Sequence, residues 1–229
     1  MKNILLVEDD PQITTLLNLH LNSPAHSLTS CGKGQEALKK IESNEYDLII
    51  LDVMLPDISG LSICKKLRDN SNQTPIIMLT SRSDESDKVL ALEMGADDYI
   101  TKPFGILELM ARTKALLRRT YPEENAKAEN IIIDYKSLHI DKIKRKVLLA
   151  GVTLDLTLKE FDLLFLLASN PGKPFSRKEL LEQVWGFAFQ GYEHTVTAHI
   201  NRLRIKIEPD PNTPVYILTS WGIGYRFTE

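Results

Sequence analysis

The chain has 229 residues, 43% of them hydrophobic and 26% charged, with a formal net charge of -3, which excludes a disordered or low-complexity protein and fits two ordinary domains better than one. The acidic total hides an asymmetry: residues 1–122 hold 14 Lys or Arg against 17 Asp or Glu, and residues 130–229 hold 13 against 11, so any case for nucleic-acid binding rests on where the cations cluster. Two cysteines, Cys31 and Cys64, make neither a disulfide framework nor a CxxC site, and the absence of a long apolar run leads us to expect a soluble, cytoplasmic protein with no membrane partner.

Short apolar strands are predicted near Ile4–Val7, Ser27–Cys31, Leu48–Asp52, Ile76–Thr80 and Tyr99–Thr101, each followed by an amphipathic helical stretch, the last of them Ile106–Arg119. That alternation belongs to right-handed parallel βαβ units. Residues 1–120 should therefore form an α/β domain with a doubly wound, five-stranded parallel sheet, and residues 121–129, YPEENAKAE, a polar linker. From 130 to 229 the pattern changes to α+β. Ile131–Asp134, Leu138–Asp141, Arg145–Leu149 and Val152–Asp155 read as a meander, and three helices follow. Capping boxes at Thr157 with Glu160 and Ser176 with Glu179 open the first two, and the third runs from Tyr192 to Ile207. A final strand pair, Val215–Thr219 and Tyr225–Thr228, flanks Ser220-Trp221-Gly222-Ile223-Gly224, a glycine-bearing hairpin.

The run Ile4-Leu5-Leu6-Val7 ends in Glu8-Asp9-Asp10, and Leu48-Ile49-Ile50-Leu51 ends in Asp52. Strands buried on both faces present their terminal side chains just beyond the carboxyl edge of the sheet, where ligands bind. Asp52 is thus expected to be presented rather than buried. Carboxylates gathered there repel unless a cation sits among them. Magnesium prefers hard oxygen ligands and keeps several waters, a requirement that Asp9, Asp52 and the carbonyl of Met54 satisfy. Asp52 could then attack a phosphoryl group and form an acyl phosphate, with Lys102 supplying a compact cation and Thr80 a hydroxyl. Singly, each is an ordinary strand-end residue; four on four strand ends of one sheet point to function.

Leu6-Val7-Glu8-Asp9-Asp10, Leu51-Asp52-Val53-Met54-Leu55-Pro56-Asp57 with Gly60, Leu79-Thr80-Ser81, and Asp97-Asp98-Tyr99-Ile100-Thr101-Lys102-Pro103-Phe104 resemble the flavodoxin-like receiver domain of bacterial response regulators. The resemblance implies that Asp52 takes phosphate from a sensor histidine kinase while Glu8, Asp9 and Asp52, with Met54, organise Mg2+ or Mn2+. It makes Thr80, Tyr99 and Lys102 a switch in which Tyr99 turns into space vacated by Thr80, and it implies a cis bond before Pro103. It also turns the charges Lys88, Glu93, Asp97, Asp98, Glu108, Arg112, Lys114 and Arg119 into the face of a phosphorylation-induced homodimer, with Lys88 pairing Glu108 and Asp98 pairing Arg112 between subunits.

In the helix ending at Ile207, Val196, Ile200, Leu203 and Ile207 make one apolar stripe, leaving Thr195, Thr197, Ala198, His199, Asn201, Arg202, Arg204 and Lys206 for phosphates and base edges. Helix plus hairpin is a recurrent DNA-docking arrangement. Leu156-Thr157-Leu158-Lys159-Glu160-Phe161, Phe175-Ser176-Arg177-Lys178-Glu179-Leu180, Val184-Trp185-Gly186, Arg202-Leu203-Arg204 and Gly222-Ile223-Gly224-Tyr225-Arg226-Phe227 resemble the winged-helix effector domain of OmpR/PhoB-type regulators. That makes Arg202 the leading base reader on tandem half-sites, with His199, Asn201 and Arg204 on phosphates. Trp185, Gly186, Phe187 and Gln190 become candidate contacts for RNA polymerase. His194, Thr197, Ile205 and Trp221 depart from the family pattern, and Trp221 stands where a minor-groove arginine is common. The alternative from another class is a metal-dependent phosphohydrolase using Asp52 as nucleophile; haloacid-dehalogenase-type enzymes, however, place an Asp where this chain has Met54.

Overall fold

The computed structural model describes residues 1–81, 94–120, 131–186 and 193–229, apart from the side chains of 118–120, and the chain divides into two units, Met1–Glu123 and Glu124–Glu229. In the first unit, strands β1 (Lys2–Val7), β2 (His26–Cys31), β3 (Leu48–Asp52), β4 (Ile76–Thr80) and β5 (Asp98–Thr101) form one parallel sheet in the order β2-β1-β3-β4-β5. Helices α1 (Pro11–Leu21), α2 (Gly34–Ser43), α3 (Gly60–Asp69) and α4 (Ile106–Thr120) accompany it; the helix expected after β4 falls on residues outside those described. Ile4 to Val7, Leu48 to Leu51 and Ile76 to Leu79 are fully buried, which is why these strands read as unbroken apolar runs. The chain steps from β1 outward to β2 and returns across it to β3, so the ends of β1 and β3 adjoin, Val7 opposite Leu51. That reversal is the switch point at which open α/β sheets bind ligands.

Local chemistry fixes the loops around this edge. Asp10 caps α1, accepting from the backbone N–H of Gln12 at 2.7 Å, and Pro11 occupies the first turn. Lys33 gives α2 no side-chain cap. Asp57, from the loop after β3, takes that role, accepting from the Gln35 N–H at 2.9 Å and the Gly34 N–H at 2.8 Å, and these backbone bonds, Gln35 foremost, hold its carboxyl below the ordinary value. Gly60 lies so close to the end of β3 that a Cβ there would stand 2.1 Å from the Asp52 carbonyl oxygen.

The second unit begins with the antiparallel sheet β6 (Ile132–Tyr135), β7 (Leu138–Asp141), β8 (Lys146–Leu149) and β9 (Val152–Thr153). Helices α5 (Leu158–Ala168), α6 (Arg177–Trp185) and α7 (His194–Ile207) enclose a core that includes Leu163, Leu164, Leu167, Leu180, Val196, Ile200, Leu203 and Ile207, all fully buried. Both expected capping boxes are present. The hairpin of β11 (Ile217–Ser220) and β12 (Gly224–Phe227) gains a third strand, β10 (Phe175–Ser176), paired with Tyr225 and Gly224; two residues are too few to leave a periodic signal. β11 starts at Ile217 rather than Val215 because the buried Glu208 carboxylate takes the N–H groups of Val215, Tyr216 and Ile217 at 2.6 to 3.1 Å.

Gly60→Ala should therefore destabilise the first unit by about 1–3 kcal/mol through overpacking, seen calorimetrically as a lowered transition for that unit alone. An unshifted transition would contradict the close approach.

Candidate phosphoacceptor pocket and nucleic-acid interface

β1, β3, β4 and β5 deliver Glu8, Asp52, Thr80 and Lys102 to one edge of the sheet. Glu8 and Asp52 are each 3% exposed and Thr80 2%, so the expectation that Asp52 stands open at the edge needs correction. Its carboxylate is covered because Lys102 bends over it. The Lys102 Nζ lies 2.6 Å from Asp52 Oδ2, 2.8 Å from Glu8 Oε1 and 2.7 Å from Glu8 Oε2; only the first two contacts have hydrogen-bond geometry, leaving Glu8 Oε2 a charge contact. Asp52 Oδ1 accepts from the Met54 N–H at 2.9 Å, which orients the carboxylate, and the Lys102 N–H donates to the Thr80 carbonyl at 2.7 Å, which ties the ends of β4 and β5 together. The bond between Lys102 and Pro103 is cis.

Burial pushes the Glu8 carboxyl up to about 7, opposed by the Lys102 hydrogen bond and reinforced by the Asp52 charge. Burial disfavours the charged Lys102 ammonium, yet its bonds to Asp52 and Glu8 outweigh that and raise it above the ordinary lysine value. The ammonium thus supplies the charge compensation that clustered carboxylates need. Among the described residues, Glu8, Asp9 and Asp52 offer oxygens all within 4.8 Å of one another, with Asp9 exposed. This all-carboxylate set, partly open to water, fits a hard divalent cation. Tyr99, on β5 beside β4, is buried, 6% exposed.

The proposed dimer face is only partly assembled. Asp97 is fully buried and binds Arg68 Nη2 and the Ile76 N–H, each at 3.0 Å, so it serves the interior and not a surface. Arg112 donates to both oxygens of Asp98 at 3.1 Å, and to Glu108 at 2.8 Å, of its own chain. The bond expected between subunits is intramolecular here. Lys114 is exposed, while Lys88, Glu93 and the side chain of Arg119 lie outside the described residues.

On α7 the apolar stripe is as expected, but Thr195 and His199, each 1% exposed, are not on the free side. The His199 Nδ1 bonds the Thr195 carbonyl oxygen at 2.9 Å and its ring packs edge-on against Trp185 at 5.0 Å. Trp185 is itself buried beneath Lys159, which removes it from any surface contact. Gly186 caps α6 at a positive φ of 99°, and Phe187 and Gln190 fall outside the described residues. Arg202 Nε lies 3.6 Å from Glu160, and Lys206 Nζ lies 2.7 Å from it. Arg204 grips β11 through the Ile217 carbonyl at 2.7 Å and the Thr219 hydroxyl at 2.9 Å. Thr197, Ala198 and Asn201 keep access to solvent, and Trp221, at the tip of the β11–β12 turn, is 91% exposed. Glu160 went unrecognised as an organiser beyond its capping box because its partner Lys206 lies 46 residues along the chain, and Glu208 because its partners are backbone N–H groups, which leave no mark in a sequence.

A phosphoacceptor-like edge on one unit and a winged helix on the other define a two-domain signalling protein that couples chemistry on a sheet to contact with DNA. Residues 4–114 match the family model for the response regulator receiver domain, and residues 151–227 that for the C-terminal domain of transcriptional regulatory proteins. The chain is 44% identical over 227 residues to the uncharacterized transcriptional regulatory protein YclJ of Bacillus subtilis (strain 168), covering 99% of each. It is 41% identical over 238 residues to the alkaline phosphatase synthesis transcriptional regulatory protein PhoP of the same strain, covering 100% of this chain and 97% of the relative. A solved mutant of RitR superposes with a TM-score of 0.73 at 30% identity over the whole of both chains. Response regulator DrrB, a Thermotoga maritima OmpR/PhoB homolog, does so with 0.50 at 36%, again over all of both. The chain belongs to the OmpR/PhoB-type response regulators: it is a phosphorylation-activated transcription regulator and not an enzyme. The phosphohydrolase alternative finds no support. No helix among the described residues is long and apolar enough to cross a membrane.

With Trp185 buried and Trp221 open, Trp221→Phe should remove most of the acrylamide-quenchable tryptophan emission and leave a blue-shifted remainder. Unchanged quenching would contradict this placement.

Proposed function

We propose that Asp52 accepts the phosphoryl group of a sensor histidine kinase and that the resulting charge favours a homodimer on tandem DNA half-sites. An Asp52 carboxylate oxygen bonds to phosphorus as the bond to the kinase histidine nitrogen breaks, and that nitrogen keeps the electron pair. Glu8, Asp9, Asp52 and the Met54 carbonyl would hold Mg2+ or Mn2+, which when bound screens the incoming phosphate from the carboxylates. Lys102, poised over Asp52, would exchange a carboxylate partner for a phosphoryl oxygen, and Thr80 would donate its hydroxyl to another. Because Lys102 and Thr80 belong to adjacent strand ends, their movement biases the outer face of β4, β5 and α4 between two arrangements. Apolar contacts there would supply most of the dimer's affinity, while Asp98, Glu108 and Arg112 trade intramolecular for intersubunit partners and set register. Along DNA the second units would sit roughly one helical turn apart, and the segment around Phe187 and Gln190 would face RNA polymerase in the cytoplasm.

The observation that carries this reading is the Lys102 ammonium bridging Asp52 and Glu8 beside Asp9. Asp52→Asn should abolish labelling by a small phosphodonor in magnesium buffer; label retained in the variant would move the acceptor elsewhere. Thr80→Ala should still accept phosphate but lose the shift to dimer on a sizing column, and a full shift would remove Thr80 from the switch.

A further inference from the structure

With roughly 100° between successive residues of a helix, the direction opposite the buried stripe of α7 belongs to His194, Ala198, Asn201 and Ile205, with Thr197 alongside. His194, Asn201 and Ile205 are exposed, Ile205 by 68%, and Thr197 and Ala198 are half-buried. The cations stand on the flanks and are drawn toward protein groups: Arg202 and Lys206 toward Glu160, Arg204 toward the Ile217 carbonyl and the Thr219 hydroxyl. The Thr197 hydroxyl oxygen already accepts from the Tyr225 hydroxyl at 3.3 Å. What the middle of the helix offers a groove is therefore a methyl-rich surface carrying one primary amide.

Those groups are selective. Apolar side chains in the major groove gain by covering the thymine C5-methyl, and an Asn amide pairs with the N6 and N7 edge of adenine, whereas guanine is read chiefly by Arg or Lys. Resting on the proposed DNA-binding function and taking α7 as the helix that enters the groove, we infer that this chain selects an A·T-rich half-site, with Asn201 on an adenine and Ile205 with Ala198 over thymine methyl groups. Arg202, Arg204 and Lys206 then border the groove and supply sequence-independent attraction to phosphates.

The test begins with selection of bound fragments from a random DNA pool by the full-length phosphorylated chain. Uracil, which lacks the C5-methyl, is then placed at each thymine of the selected site in turn. The expected result is an A·T-rich consensus in which uracil at one or two positions per half-site weakens binding by about fivefold or more. Ile205→Ala should abolish the penalty at one such position, and Asn201→Ala should cost about tenfold at a single adenine. A G·C-rich consensus whose preference disappears in Arg202→Ala would overturn the inference while leaving α7 as the reader. Wild-type indifference to uracil throughout would overturn it too. Enrichment of no sequence at all would sink both this inference and the DNA-reading assignment of α7.

Discussion

One cation among buried carboxylates governs this molecule. Glu8 and Asp52 could not both remain charged at the adjoining ends of β1 and β3 without compensation, and the Lys102 ammonium provides it at 2.6 to 2.8 Å. Removing one partner of such a buried group typically costs about 3–5 kcal/mol, so the arrangement is held firmly yet rebuilds when a new charge arrives. In the proposed function a phosphoryl group on Asp52 would be such a charge, and its oxygens would compete for the same ammonium. On that proposal the edge of the sheet would have two ways of satisfying its charges, which is what a switch requires.

The second unit uses the same device without the switching. Glu160 serves the capping box of α5 through the Thr157 N–H and also accepts from Lys206 of α7. Glu208, at the C-cap of α7, ties that same end of the helix onto the start of β11. Between them, two buried carboxylates set the recognition helix against both the core and the hairpin, and Arg204 adds a third tie. Several cations along the helix, Arg202, Arg204 and Lys206, therefore also have structural work.

Much of the fold was legible in the chain itself. Doubly buried strands announce themselves as apolar runs, capping boxes as Thr157 with Glu160 and Ser176 with Glu179, and the inward stripe of α7 as Val196, Ile200, Leu203 and Ile207. All of these are local regularities. The convergence of Glu8, Asp52, Thr80 and Lys102 was legible too, because a parallel sheet places successive strand ends together whatever its side chains do. What the sequence concealed were the non-local bonds. Nothing beside Asp57 signals that it caps α2, nothing beside Asp97 that Arg68 draws it inside, and a helical wheel alone could not say that His199 would turn toward Trp185. A titratable side chain at the boundary of an apolar stripe goes inward or outward according to a partner far along the chain.

The central claim is most directly tested by calorimetric titration of the full-length chain with magnesium, followed by beryllofluoride as a phosphoryl mimic. Uptake of one divalent ion, abolished in Asp9→Asn, and further stabilisation of the first unit by beryllofluoride only when both magnesium and Asp52 are present, is the predicted result. A chain that takes up no ion, or that responds to beryllofluoride equally well as Asp52→Asn, would contradict it.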